Sequence, residues 1–197
     1  MAQELILFID HQNIYADARE AFFKRGDRHT KGQFDPLHLG KRICEKKPKR
    51  VLKEVRIYTG ISANSRDPKG YAARRRQIAY WKKTGVHVMQ RTFRYPSNWP
   101  QDPEHEKGVD VALAVDFVAM AIRQEYDIGV IASTDTDLRP AIEFVSTLGN
   151  VVGEEAAWWN GIQKQLSAPV AKVWCHRLNK KDYDSVCDTR DYNIPRK

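Results

Sequence analysis

Four aspartates, Asp10, Asp110, Asp135 and Asp137, stand where one carboxylate centre could be assembled. LILFI (5–9) is a continuous apolar run ending in Asp10, and IGVIAS (128–133) is a second such run that leads into Asp135 and Asp137. Runs of that kind are strands buried on both faces of a parallel sheet. In such sheets ligands bind outside the carboxyl ends of the strands. These two are the most hydrophobic strands of the chain and are expected to be neighbours near the sheet centre, which brings three acids to one rim. Asp110 opens the apolar stretch VDVALAVDFVAMAIR (109–123), and its alternative role is to complement the helix dipole. That helix leaves little polar surface, and a buried carboxylate is costly unless it is paired or metal-bound. Converging acids raise one another's pKa unless a cation compensates. Oxygen-only ligands suit Mg²⁺ or Mn²⁺ rather than zinc. The chemistry that needs several carboxylates and hard metals is phosphoryl transfer, in which metals activate water and neutralise charge on phosphate. Ser133, Thr134 and Thr136 either orient ligands there or only form the turn.

Asp116 is a separate case. It lies six residues after Asp110, about 120° round a helix and roughly 9 Å along its axis. The two cannot easily reach one metal, so Asp116 is expected to hold a neighbouring basic group or a backbone amide.

The elements that must position these acids alternate in type. After the first strand, Ile14, Ala18 and Phe22 recur at helical spacing. Residues 26–36 form a loop and 37–47 a short basic helix. VRIYTG (55–60) is a strand, 70–83 a helix, 86–95 a strand, and 96–108, with three prolines, a loop. A helix over 139–148 stops at Gly149, and VVGEE (151–155) is a last strand. Strands alternating with helices predict a three-layer α/β sandwich with a mostly parallel sheet. Residues 1–156 are expected to form the main domain. Residues 157–197 would form an extension packed on it, with a helix near 160–167, the segment VWCHRL and a charged tail. Trp158 and Trp159 would either pack that extension or form a homodimer contact. No glycine loop of the phosphate-cradling kinds is present.

Bulk properties narrow the function. The 197 residues are 42% hydrophobic and 29% charged, ordinary for a globular protein with a core. No run approaches the roughly 18 apolar residues that cross a bilayer. The start, MAQELILFID, reads as a strand and not a signal peptide, which points to the cytoplasm. Cys44, Cys175 and Cys187 match no common zinc spacing and are expected to be free thiols. The net charge of +8 favours a polyanionic partner. It is concentrated in residues 41–56 and in Arg74, Arg75, Arg76, Lys82 and Lys83. Tyr71, Tyr80, Trp81, Phe93, Tyr95 and Trp99 lie among or after these cations, a mixture suited to stacking and pairing single-stranded RNA. Solvated helix faces, and core positions for Tyr80 and Trp81, are the alternatives.

Three segments resemble a known family, the NYN domains, a branch of the PIN-like nucleases. FIDHQNIY (8–15) resembles the opening F-[IV]-D-x-x-N-[LI] of that family, KGVDVALAVD (107–116) its K-G-[VT]-D-V-x-L-x-x-D helix, and STDTDL (133–138) its S-G-D-x-D-F segment. The resemblance spans roughly residues 4–155. It implies a Rossmann-like PIN fold with a five-stranded parallel sheet and a Mg²⁺ or Mn²⁺ site that cuts RNA. Asp10, Asp110 and Asp135 would carry the metal, with Asp137 a fourth acid, direct or through water. Asn13 would tether Asp10 or the first loop, or simply cap the helix. Lys107 would contact phosphate or stand exposed, and Asp116 also matches a family position. His11, Gln12 and Thr134 depart from the small residues common at those positions. The extra mid-chain Glu of many PIN nucleases has no clear match, since Glu45 and Glu54 lie in basic surroundings that suggest ion pairs.

Two other functions compete with an RNA nuclease. One is a binding module that holds RNA or a protein without cutting, against which the intact acids argue. The other is a phosphatase with an aspartyl nucleophile, which would need D-x-D at the first strand, where Gln12 occupies the second position.

Overall fold

The computed structural model describes residues 2–161 and 173–195. The helix expected near 160–167 lies, from residue 162 on, outside the described residues. Six strands form one sheet: β1 (Gln3–Asp10), β2 (Arg50–Ile61), β3 (His87–Thr92), β4 (Ile128–Ala132), β5 (Val152–Trp158) and β6 (Trp174–Leu178). Their order is β3-β2-β1-β4-β5-β6, and every neighbouring pair is parallel. The class is the expected α/β sandwich. The sheet has six strands rather than five, because WCHRL in the C-terminal segment pairs with β5 and continues the sheet beyond VVGEE. Chain direction across the sheet reverses between β1 and β4, where the rim opens a crevice.

The alternation of β1 splits the core. Leu5, Leu7 and Ile9 face one side, against α1 (His11–Phe22), α2 (Pro36–Glu45), α3 (Pro68–Lys83) and α6 (Lys180–Val186). Ile6 and Phe8 face the other, against α4 (Val109–Ile122) and α5 (Arg139–Ser146). All five of these residues are fully buried. Each contributes roughly 1.5–3 kcal/mol by leaving water, which makes β1 the axis of the fold. Trp81 and Trp158 also lie in the core, and Trp158 donates its indole N–H to the Ile14 carbonyl. Trp159 is half-exposed beside Arg177.

The apolar helix α4 differs from expectation in one respect. Leu113, Phe117 and Met120 pack on the sheet, but Val111, Val115 and Ile122 stay exposed on its outer side. No described helix is long and apolar enough to cross a membrane. Cys44, Cys175 and Cys187 are free thiols.

Candidate functional site

Asp10 ends β1 and caps α1, accepting a hydrogen bond from the Asn13 backbone N–H at 3.2 Å. Across the switch point, Ser133 follows β4 and donates its hydroxyl to Asp10 Oδ2 at 3.2 Å. The same Ser133 oxygen accepts from the Asp135 N–H at 3.1 Å, so one hydroxyl ties both acids to the rim. Asp135 in turn caps the short 3-10 turn Thr136–Leu138 by accepting from the Asp137 N–H. Asn13 is not the helix cap, because Asp10 fills that position. Its side-chain oxygen accepts the Thr134 N–H at 2.8 Å and fastens α1 to the β4 turn. Thr134 also donates to Asp17 Oδ2.

Asp110 enters from the other face of the sheet. Gly108, at φ 76°, turns the chain into α4 without a side-chain cap, a backbone conformation that glycine adopts without strain. Asp110 therefore sits in the first turn, half-buried, and its carboxylate has no hydrogen bond among the described residues. Asp137 stands on the exposed side of its turn, and Lys107 is also exposed.

The structure adds Glu106, which the sequence reading missed. After β3, Arg94 and His105 pair backbone to backbone, closing the proline-rich loop 95–104 like a hairpin. That returns Glu106 to the rim, where it accepts a hydrogen bond from the Gly60 backbone. A Cβ at Gly60 would collide with both the Phe93 ring and the Glu106 carboxylate, so this close approach depends on glycine. The Gln12 side-chain amide, with its nitrogen turned inward, donates to Glu106. The signal available in the sequence was position, four residues before Asp110 and across a turn glycine, but a loop with three prolines hides it. Glu45 and Glu54 pair with Arg42 and Arg56, respectively.

Electrostatics show how close these acids come. Burial raises Asp10 to about 6, against the pull of Asn13 and Ser133, and the charges of Asp135 and Asp110 add to the rise. Burial also raises Glu106 to about 7, with Asp10 the next cause and Asp110 a smaller one. Four carboxylates thus share one field, none of them in an ion pair among the described residues, with Arg74 acting on Glu106 only through space. An all-oxygen donor set under mutual repulsion fits a hard divalent cation. Among the described residues, no three His, Cys, Asp or Glu side chains close into a ready coordination shell.

Asp116 belongs to a different structure. Tyr58 donates its hydroxyl to Asp116 Oδ2 at 2.7 Å, and Arg56 Nη2 lies 3.1 Å from the same oxygen. Burial and that hydrogen bond raise the Tyr58 pKa far above the usual phenol range, so the hydroxyl stays a donor.

The basic residues also divide. Arg74 is largely enclosed near the acids, Arg75 is exposed, and Arg76 donates to the Tyr192 and Asn193 carbonyls of the C-terminal tail. Lys82 and Lys83 are exposed at the far end of α3, roughly 12 Å along the axis from Arg74 and towards the opposite rim. Much of the run 41–56 is spent internally: Arg42 and Lys46 hold Asp182, Lys47 and Arg50 hold Glu154, and Lys53 holds Glu4.

The family model for the NYN domain matches residues 4–162. Among curated proteins none matches the sequence. Among solved structures, a protein of unknown function from Vibrio parahaemolyticus RIMD 2210633 is similar at a TM-score of 0.52. It is 19% identical and the match covers 80% of this chain and 81% of that one. At that identity the likeness shows the fold alone.

Proposed function

Because this chain belongs to the NYN domain family of PIN-like nucleases, we propose that its rim carboxylates hydrolyse phosphodiester bonds of single-stranded RNA with the help of Mg²⁺ or Mn²⁺. The observation that carries the reading is the set of mutually repelling acids, Asp10, Asp110, Asp135 and Glu106, none of them in an ion pair among the described residues, at the switch point of the sheet. Asp10, Asp110 and Asp135 would hold the cation, Glu106 would supply the acid that Glu45 and Glu54 do not, and Asp137 would serve as an outer acid. A divalent cation bound there lowers the pKa of water and offsets charge on the scissile phosphate. Ser133 fixes the spacing of Asp10 and Asp135, and Asn13 holds the turn that carries Asp135 against α1. Lys107 and Arg75, both exposed, are available to the RNA backbone. No side-chain nucleophile is required.

The test offers labelled single-stranded RNA to the purified protein with Mg²⁺, Mn²⁺ or a chelator, alongside Asp10→Asn and Asp135→Asn. Cleavage that needs the metal and disappears in both variants is expected. Equal cleavage in chelator, or full activity in both variants, would sink the metal-nuclease reading. Tight binding without cleavage under any metal would make the domain an RNA-binding module instead.

A further inference from the structure

Beside the carboxylates lies a cleft of about 240 Å³, bordered by α1, α3, the loop before α2 and the C-terminal tail. It is smaller than the roughly 300 Å³ at which pockets for drug-sized ligands begin. His11, the residue after Asp10, lines it, as does Phe93, whose ring meets Glu106 at Gly60. Cleft and carboxylate cluster therefore share a border.

The chemistry of its walls is that of an anion site. Arg74 lines the cleft and uses Nη1 to donate to Gln77 Oε1 at 2.6 Å and to contact the His11 ring at 3.2 Å. Its Nε and Nη2 have no protein partner among the described residues, and it forms no ion pair there. Glu106 acts on it only through space. His11 is buried, and an imidazole has no negative charge with which to balance the guanidinium. Burial lowers the Arg74 pKa to about 10, which leaves it cationic at neutral pH. A largely enclosed guanidinium with no carboxylate in hydrogen-bond reach gains from an anion that pairs with it directly. A second polar group points the same way: Gln33, 9% exposed, also lines the cleft, and its side-chain oxygen has no hydrogen-bond partner. Oxygen and nitrogen of such an amide exchange by a flip, so Gln33 can offer a donor.

The outer wall comes from residues beyond the family match at 4–162. Tyr192 and Asn193 line the cleft. Arg76 grips their carbonyls, His29 joins Asp191 and Asn193, and Tyr192 donates to Asp188. On the other side, Arg19 binds the carbonyls of Asp27, Arg28 and Lys31 and holds the bordering loop in shape. The cleft is thus built from both ends of the chain, with Arg74 and Gln33 in its wall.

We propose that this cleft is a phosphate subsite in which Arg74, assisted by Gln33, holds a phosphate group of the RNA strand next to the bond that is cut. The inference rests on the nuclease reading only for the identity of the strand. The phosphate is either a terminal phosphomonoester or an internal phosphodiester, and a bidentate guanidinium suits both.

The test is binding in chelator, where no cleavage intervenes, followed by fluorescence anisotropy. Short labelled oligoribonucleotides carry a 5′-phosphate, a 3′-phosphate or hydroxyls only, and a circular RNA has no end. Full-length wild type, Arg74→Gln and Gln33→Leu are compared. If the cleft holds a terminal phosphate, wild type prefers one phosphorylated end by about tenfold, and Arg74→Gln loses that preference while keeping its affinity for hydroxyl-ended RNA. If it holds an internal phosphate, Arg74→Gln weakens the circular and linear RNAs alike, which also supports the subsite. Wild type without end preference and Arg74→Gln with unchanged affinity for every RNA would overturn it. Should Arg74→Gln fail to fold, Gln33→Leu and competition of wild type by inorganic phosphate decide the matter, and no effect of either overturns the proposal. A protein that shows the phosphate effect but cuts nothing with any divalent cation loses the nuclease reading alone. One that cuts without the phosphate effect loses the subsite alone.

Discussion

Glu154 and Asp10 are both buried carboxylates on strands of one sheet, and the protein treats them in opposite ways. Glu154 receives Arg50 through both guanidinium nitrogens at 2.7 and 2.8 Å, Lys47 at 2.9 Å and His176 Nε2 at 2.7 Å. Burial alone would raise its pKa, but the bonds from Arg50, His176 and Lys47 together hold it well below the usual carboxylate range. Asp10 receives one backbone N–H and one hydroxyl, faces Asp135 and Asp110, and is pushed up to about 6. The chain has cations in quantity and places Arg50, Lys47 and His176 on Glu154, yet no basic side chain on Asp10. Cations of the run 41–56 stabilise the fold, and the rim acids are left without an ion pair among the described residues. A deficit of that kind belongs to a site completed from outside.

The comparison breaks most sharply on exchanging the two acids for amides. Asp10→Asn is expected to lower RNA cleavage on the order of 10³-fold, the size of losing one preorganised electrostatic partner of the transition state. In chelator the same change stabilises the protein at neutral pH by up to about 3 kcal/mol, since it removes a buried charge whose pKa is raised by about 2 units. Glu154→Gln should do the reverse. It leaves Arg50 and Lys47 facing a neutral group at a cost of about 3–5 kcal/mol, with cleavage per folded molecule kept. Cleavage rates and urea melts measure both, and an Asp10→Asn protein as unstable as Glu154→Gln would erase the distinction.

Stability against pH sharpens it further. Asp10 and Glu106 have folded pKa values above their unfolded ones of 3.8 and 4.5. Without metal, their contribution is full below about pH 4 and is lost as pH rises through about 6 and 7. Glu154 is depressed, so its contribution is present above about pH 4.5 and is lost as pH falls. Thermal melts in chelator should therefore show Asp10→Asn flattening the decline between about pH 4 and 7. Adding Mn²⁺ should restore wild-type stability near pH 8 much more than near pH 5. A wild-type profile without that decline would mean that burial does not hold Asp10 and Glu106 above their unfolded values.

These two regions also differ in how far the sequence announced them. The rim positions of Asp10 and Asp135 were legible because Asp10 ends one buried strand and Asp135 stands in the turn after another, and strand ends meet at the switch point of a parallel sheet. Asp116 was legible by helix geometry, and Arg56 and Tyr58 are the groups that hold it. Glu106 was not, because its place depends on the long-range pairing of Arg94 with His105 and on the missing side chain at Gly60. The basic run was visible as charge, but its partners Glu154 and Asp182 lie more than a hundred residues away and only folding reveals them. β6 was hidden for a similar reason: WCHRL has a strand pattern too short to declare itself without β5 beside it. Glu106→Gln tests the hidden member of the site. It should reduce cleavage about 10- to 100-fold, with a weaker response to metal. Unchanged cleavage would return the site to the aspartates alone.

The smallest effect concerns Asp116, where the rim and the ion-pair network come closest to being confused. Its oxygen accepts from Tyr58 and from Arg56, and it is itself partly exposed. Asp116→Ala leaves the Tyr58 hydroxyl without its acceptor and should cost about 1–3 kcal/mol, whereas Asp116→Asn keeps an oxygen in place and should cost less than about 1 kcal/mol. Neither should alter cleavage per folded molecule by more than about twofold, nor change how strongly Mn²⁺ raises the melting temperature. The second readout is the discriminating one, because a merely destabilised protein still responds to metal. If Asp116→Asn abolished that response while its melting in chelator stayed unchanged, Asp116 would join Asp10 on the side of the unpaired acids.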